Sequence, residues 1–310
     1  MLEDKQNITE YLQAYHNGDI KKGLGIGLNE IDDYAIFKYG EFNIINGLDN
    51  VGKTIVLLWW FLCLSKKHNL KWCIYSGENK SGQLMRQLIQ FYTGTRLTDM
   101  KLAEVFRYEQ ELSQWFTFID NTKFYKSKDL FKVFRDGKYD GVLIDPFTGL
   151  DREFTHAANY EFLNECRQFC NTSGVALYVN THVVSAAARK IFPEGHEWAG
   201  YNYPPSKSDS EGGQPFGNRC DNFYTFHRLL GHPTLKFTSM WFTRKIKDTE
   251  TGGSVNGIEE PVLLEFNNGL GFTLNGKNPL TMTVKNDLEL SELSINDSFD
   301  NEIDDTPAPF

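Results

Sequence analysis

The 310-residue sequence has no apolar run approaching the ~20 residues that a membrane-spanning helix requires. Its longest apolar stretch, around Trp59 to Leu64, stops at Lys66-Lys67, and a core helix accounts for it. The first residues, Met1-Leu2-Glu3-Asp4-Lys5, are polar and acidic, without the basic and apolar segments of a signal peptide. Cysteine is sparse. The five residues (Cys63, Cys73, Cys166, Cys170, Cys220) are odd in number and scattered, and no C-x-x-C occurs. A disulfide scaffold and a zinc site are excluded, and reduced core thiols of a cytoplasmic protein are expected. Lys and Arg are missing from Asn286 onward, where eight acids stand: Asp287, Glu289, Glu292, Asp297, Asp300, Glu302, Asp304 and Asp305. Taking those eight from the 41 acids leaves 33 against 32 Lys and Arg, so the body is close to neutral. The net charge of −9 therefore neither supports nor excludes a nucleic-acid partner.

What is present is a complete phosphate-binding pattern. Gly47-Leu48-Asp49-Asn50-Val51-Gly52-Lys53-Thr54 fits G-x-x-x-x-G-K-[ST], the Walker A motif. Glu41 to Asn46 reads as a short buried strand before it, and Ile55 to Leu62 as an apolar helix after it. Strand, glycine loop and helix together present successive backbone N–H groups and a helix N-terminus to an anion. In that pattern Lys53 reaches the β- and γ-phosphates of ATP or another NTP, and the Thr54 hydroxyl holds Mg²⁺.

Around this motif the chain alternates between strands and helices. Lys71–Ser76, Trp115–Ile119, Tyr139–Asp145 and Val175–Asn180 read as strands. Gln83–Tyr92, Leu130–Phe134 and Asn159–Cys170 read as helices between them. The alternation predicts an α/β fold with a mostly parallel central sheet. Cys220–Arg228, Leu235–Ile246 and Pro261–Phe272 read as further strands. The last two regions look antiparallel, with Asn267-Asn268-Gly269 as a turn. Asn7–Asn17 reads as an amphipathic helix (Ile8, Tyr11, Leu12, Tyr15) with Asn7 as N-cap and Glu10 completing a capping box. Its apolar face must pack on its own body or on a neighbouring subunit. Gly23-Leu24-Gly25-Ile26-Gly27 reads as a flexible connector. Val183–Phe216 is too long for an ordinary connection and is expected to be functional or mobile.

In a parallel sheet, active residues belong at the strand C-termini. Three candidates stand there. Asp145 closes an apolar strand, as a Walker B acid does, and is a second Mg²⁺ ligand candidate beside Thr54. Glu78 follows the Lys71–Ser76 strand and could orient or deprotonate an attacking water. His182 follows the Val175–Asn180 strand and could sense a γ-phosphate by hydrogen bonding. With Lys53, Glu78 and His182 form the candidate catalytic set.

The ordered set resembles the motor domain of DnaB-type ring helicases, superfamily 4 proteins with a RecA-like core. The resemblance rests on Gly27-Leu28-Asn29-Glu30-Ile31-Asp32 ahead of the P-loop, Ser76-Gly77-Glu78 with Gln83-Leu84-x-Arg86, and Ile144-Asp145. It extends to Thr181-His182 and to Glu211-Gly212-Gly213-Gln214 with Cys220-Asp221-Asn222. The sensor position, Gln in bacterial members, is His in many phage and mitochondrial-type members. The resemblance spans roughly Gly23 to Leu274. It implies a RecA-like motor domain at residues 23–275, after an N-terminal linker helix at 1–22 and before a disordered acidic tail at 276–310. It further implies a ring, hexameric in this family, with nucleotide between subunits, translocation on single-stranded DNA, and strand separation at a replication fork.

The family's K-x-R motif, which carries an arginine finger to the neighbouring subunit's nucleotide, is represented here by Arg244-Lys245-Ile246-Lys247. Lys245 and Lys247 align best, so a lysine replaces the finger or Arg244 serves; lysine lacks the planar fork of arginine. DNA is expected on pore loops carrying Arg152, His156, Arg189, Lys190 and Lys207, through salt-sensitive phosphate contacts. The tail ending in Phe310 resembles tails that dock on a replisome partner, with the aromatic ring filling a pocket and the acids meeting a basic rim. A separate primase is a further partner the resemblance suggests. Two other functions share these features: a RecA-type recombinase or recombination mediator, and a non-hydrolysing replisome or virion adaptor.

Overall fold

The computed structural model describes residues 4–19 and 22–282. A nine-stranded sheet organises them: β1 (Phe42–Asn46), β2 (Trp72–Ser76), β3 (Phe116–Phe118), β4 (Gly141–Asp145), β5 (Ala176–Asn180), β6 (Asn222–His227), β7 (Thr238–Lys245), β8 (Val262–Phe266) and β9 (Phe272–Thr273). Their spatial order is β3-β2-β4-β5-β1-β6-β7-β8-β9. β1 through β6 run parallel, whereas β6–β7, β7–β8 and β8–β9 pair antiparallel. β1, which feeds the glycine loop, lies between β5 and β6, while the next strand in sequence, β2, lies beyond β4. Such a change of direction opens a crevice at the strand C-termini, where ligands of α/β sheets bind.

Side-chain alternation explains the layering. Phe42 and Ile44, Cys73 and Tyr75, Val142 and Ile144, and Leu177 and Val179 enter one core with Phe131, Phe162 and Phe169. The intervening Ile45, Ile74, Leu143 and Tyr178 enter the core on the other face with Trp59, Trp60 and Phe61. A sheet buried on both faces needs apolar residues at every strand position, and β1, β2, β4 and β5 are buried throughout. The helix Lys53–His68 buries every residue from Val56 to Ser65, so it is apolar all round rather than amphipathic. Phe61 stacks on Trp72 with ring centroids 3.8 Å apart, and Trp60 meets Trp241 edge-on at 5.5 Å. The helix starts after Gly52 (φ 87°) and ends at Asn69 (φ 59°), with Lys66, Lys67 and His68 in its last turn facing the negative end of the dipole.

Several local expectations are corrected. The N-terminal helix spans Lys5–His16, and its cap is Asp4, whose side chain accepts from the Gln6 N–H; neither Asn7 nor Glu10 does this work. None of its residues is buried, and the Tyr15 hydroxyl donates to Glu250. The glycine segment is no loose connector: the Asp32 carboxylate accepts from the N–H groups of Ile26, Gly27 and Leu28, and Leu24 bridges to Phe37. The turn expected at Asn267-Asn268-Gly269 is present: Asn268 and Gly269 take positive φ between the antiparallel β8 and β9. Leu274 and Leu280 are both buried, so the packed chain continues past Asn275. Phe310 and the acids from Asp287 onward lie outside the described residues.

Residues 183–213 form a built excursion. It contains an aromatic nucleus of Phe192, Trp198 and Tyr203, and Asn46 at the end of β1 anchors it by donating to the Ser206 carbonyl at 2.9 Å and the Ser210 hydroxyl at 3.2 Å.

Candidate functional site

The parallel registers align the strand ends: Ser76 faces Asp145 across β2 and β4, and Asn180 faces Ile45 across β5 and β1. Polar residues therefore follow apolar runs at one level of the sheet. The glycine loop Gly47–Thr54 rises beside them. A Cβ on Gly47 would lie 2.4 Å from the Phe226 carbonyl oxygen, so only glycine fits between loop and β6. Leu48 and Val51 bury their side chains under the loop, and Asn50 and Gly52 adopt left-handed backbone.

Lys53 Nζ donates to the carbonyls of Gly47 at 3.0 Å and Leu48 at 3.1 Å, folding back on its own loop. Burial lowers its pKa, opposed by the negative charges of Asp145, Asp49 and Glu78. Asp145 is 3% exposed. Its Oδ2 accepts from the Thr54 hydroxyl at 2.8 Å and the Ser76 hydroxyl at 3.3 Å, and its Oδ1 from Asn180 Nδ2 at 2.6 Å. Burial raises its pKa, and the donations from Asn180 and Thr54 oppose that rise. The two residues read as metal ligands are thus in direct contact. Asn180 Oδ1, on the amide that donates to Asp145, and the Thr181 hydroxyl next in sequence are buried without a hydrogen-bond partner among the described residues. Oxygen donors with unspent capacity suit a hard divalent cation such as Mg²⁺, so these residues fit that ion. Among the described residues no cluster of three or more His, Cys, Asp and Glu could hold a metal.

Glu78 follows β2 through Gly77, whose N–H donates to the Asp145 carbonyl at 2.8 Å. Gly77 lies so close to Gly149 that an added Cβ would sit 3.2 Å from the Gly149 Cα. The Ser76 hydroxyl also accepts from the Asn79 N–H, and Asn121 donates to the carbonyls of Ser76 and Asn79. His182 Nε2 lies 3.2 Å from Glu78 Oε1 and its Nδ1 3.4 Å from Asp49 Oδ1. Lys53, Glu78, Thr54, Asp145 and His182 are therefore brought into one cleft. Sequence reading places Asp49 in the nucleotide-binding loop, without its contact to His182, and misses Asn180 and Asn121. A polar residue ending the apolar run Val175–Val179 was the available signal for Asn180; Asp49 occupies a position the motif leaves open, and Asn121 carries no local signal.

The finger candidates part ways. Lys245 Nζ donates to the carbonyls of Gly217, Asn218 and Cys220 at 2.7–3.1 Å, capping the helix Gln214–Arg219. Arg244 lies over the Phe242 ring at 4.4 Å and reaches the Pro205 carbonyl, and burial lowers its pKa to about 10. Lys247 is largely exposed and pairs with Asp221 at 3.3 Å. Of the DNA candidates, Arg152 lies against the rings of Phe147, Phe154 and Phe162 and donates to Asn159 at 3.0 Å. Lys190 pairs with Asp209 at 2.7 Å, His156 packs on Tyr160, and Arg189 and Lys207 are exposed.

The sheet order, glycine loop and strand-end acid define a RecA-like α/β fold. Among solved structures, the ATPase domain of G40P superposes with a TM-score of 0.68 at 14% identity, covering 88% of this chain and 99% of that one. A DnaB-like replicative helicase, solved in a study of its interactions with primase, gives 0.65 at 14% identity, covering 88% of this chain and 67% of that one. KaiC-like protein PH0186 from Pyrococcus horikoshii OT3 gives 0.51 at 14%, covering 82% and 97%. At these identities the likeness establishes the fold. No protein-family model and no curated protein matches the chain.

Proposed function

We propose that this chain is the motor of a replicative DNA helicase that hydrolyses a nucleoside triphosphate to translocate on single-stranded DNA and part the duplex at a fork. It acts in the cytoplasm as a ring, with nucleotide between subunits. The observation that carries the reading is the Thr54–Asp145 contact, set beside Lys53 and the Glu78–His182 pair at the C-terminal ends of neighbouring strands. Lys53 and the loop N–H groups bind the β- and γ-phosphates. Thr54 and Asp145 would hold Mg²⁺, which supplies neutralisation of phosphate charge when bound. Glu78 orients or deprotonates the attacking water, and His182 hydrogen-bonds the γ-phosphate. Lys247, the exposed member of its trio, reaches the neighbour's nucleotide. Arg189 and Lys207 contact DNA phosphates, and the tail ending in Phe310 docks a replisome partner, with a primase acting as a separate protein.

Phosphate release with and without single-stranded DNA, combined with electron microscopy of the particles, tests this reading. Closed rings, DNA-stimulated hydrolysis and its loss in Lys53→Ala are expected. Helical filaments would favour a strand-pairing recombinase instead. A chain that forms no ring and releases no phosphate would be an adaptor, and the motor reading would fall.

A further inference from the structure

Three carboxylates act on the glycine-loop lysine: Asp145, Asp49 and Glu78. Asp145 and Glu78 have roles in the reaction proposed above; Asp49 has none. Its side chain is 83% exposed, so no packing requirement explains it. What it does touch is His182. The imidazole stands between two acids from different elements, Nδ1 toward Asp49 of the glycine loop and Nε2 toward Glu78 after β2. The ring is placed by its backbone: the Thr181 N–H donates to the Ile45 carbonyl at 2.8 Å, and the His182 carbonyl accepts from the Glu211 N–H at 2.8 Å. A neutral imidazole donates from only one nitrogen, and an imidazolium from both. A neutral ring therefore serves one of the two acids, and an imidazolium both, before any phosphate arrives.

We propose that Asp49 is a positioning residue that makes the site respond to the third phosphate. In the nucleotide-free chain the His182 ring stands with Nδ1 against Asp49 and Nε2 against Glu78, and it donates to one of them when neutral or to both when doubly protonated. A γ-phosphate entering beside Lys53 brings like charge against Asp49 and competes with it for His182 Nδ1. A triphosphate must displace the Asp49 contact; a diphosphate, which does not reach that nitrogen, leaves it in place. Asp49 thereby weakens triphosphate binding selectively, and re-forms its contact once the γ-phosphate has departed. This inference rests on the nucleotide-site reading above.

The test is equilibrium binding of a fluorescent non-hydrolysable ATP analogue and of the matching ADP, with Mg²⁺, to the full chain. Asp49→Ala is expected to tighten the triphosphate analogue about tenfold and to change ADP by less than twofold. Asp49→Asn, which keeps a hydrogen-bond acceptor but loses the charge, falls between. In a His182→Ala background, Asp49→Ala is expected to keep only the smaller part of its triphosphate preference that comes from direct repulsion of the γ-phosphate. Equal tightening of both nucleotides would reduce Asp49 to a general charge effect and overturn the proposal, as would no change in either. If the unaltered chain bound neither nucleotide, the nucleotide-site reading itself would fall; binding of both without the differential sinks only the role of Asp49.

Discussion

The Thr54 hydroxyl donates to Asp145 Oδ2 over 2.8 Å, although 91 positions separate the two residues. One begins the helix after the glycine loop and the other closes β4, so the contact exists only because β5 alone separates β4 from β1. It joins the phosphate cradle to the acid of the metal reading in a partly buried setting, where a hydrogen bond to a carboxylate contributes roughly 1.5–3 kcal/mol.

Thr54→Val keeps the shape and removes the hydroxyl. Hydrolysis is expected to fall by about 100-fold or more, since a bound cation contributes several kcal/mol of charge stabilisation. Thermal stability should fall by only a few degrees, because Ser76 and Asn180 still donate to Asp145. Full turnover in this variant, measured as phosphate release, would remove Thr54 from the site.

Asn180 is expected to matter as much for folding as for activity. Its amide donates to Asp145 Oδ1 at 2.6 Å in a fully buried position. Asn180→Ala leaves a buried carboxylate short of a donor, at a cost of roughly 1–3 kcal/mol. Urea unfolding should show a lower midpoint with unchanged slope. An unchanged midpoint would mean that water replaces the amide and that Asp145 does not depend on it.

The contrast between these two positions shows what was legible in the chain. The motif Gly47–Thr54 and the apolar run ending at Asp145 declare themselves through local pattern, because a glycine loop and a buried strand impose residue types on consecutive positions. Asn180 and Asp49 gain their significance only through neighbours brought in by the sheet order. The parallel core was readable for the same reason, since strands buried on both faces are continuously apolar. The Asp4 cap and the Asp32 carboxylate binding the glycine segment were not readable: several nearby Asp and Asn residues could fill each role, and side-chain geometry selects one. Lys245 and Lys247 look equivalent in sequence, yet the turn of the chain after β7 sends one onto a helix end and leaves the other exposed.

That divergence predicts opposite outcomes for two similar substitutions. Lys245→Ala removes the donor to three carbonyls at the end of the helix Gln214–Arg219 and should cost roughly 1.5–3 kcal/mol of stability. Lys247→Ala breaks only an exposed pair with Asp221, and Asp221 keeps Arg167, so stability should move by less than about 1 kcal/mol. DNA-stimulated hydrolysis, in contrast, should drop sharply in Lys247→Ala. Melting curves and phosphate release on both variants decide the matter; a Lys247→Ala protein with normal stimulated turnover would return the trans-acting role to Arg244 or to no residue of this strand.

His227 sets a pH limit on the fold that is independent of nucleotide. It lies in β6 opposite Met240 of β7, fully buried, and burial together with the nearby Arg244 charge lowers its pKa from 6.5 to about 4. The folded chain therefore keeps this imidazole neutral between about pH 6.5 and 4, where the unfolded chain protonates it. More protons on the unfolded state mean that stability is fully present above pH 6.5, declines as pH falls toward 4, and levels off below. The loss amounts to something on the order of 3 kcal/mol from this one group. His227→Leu cannot take up that proton and should lose less stability than the unaltered protein between pH 7.5 and pH 5. Urea unfolding of both proteins at the two pH values measures the difference. Parallel losses in the two proteins would show that His227 is protonated equally in the folded and unfolded chains, and that acid acts on the fold through the carboxylates instead.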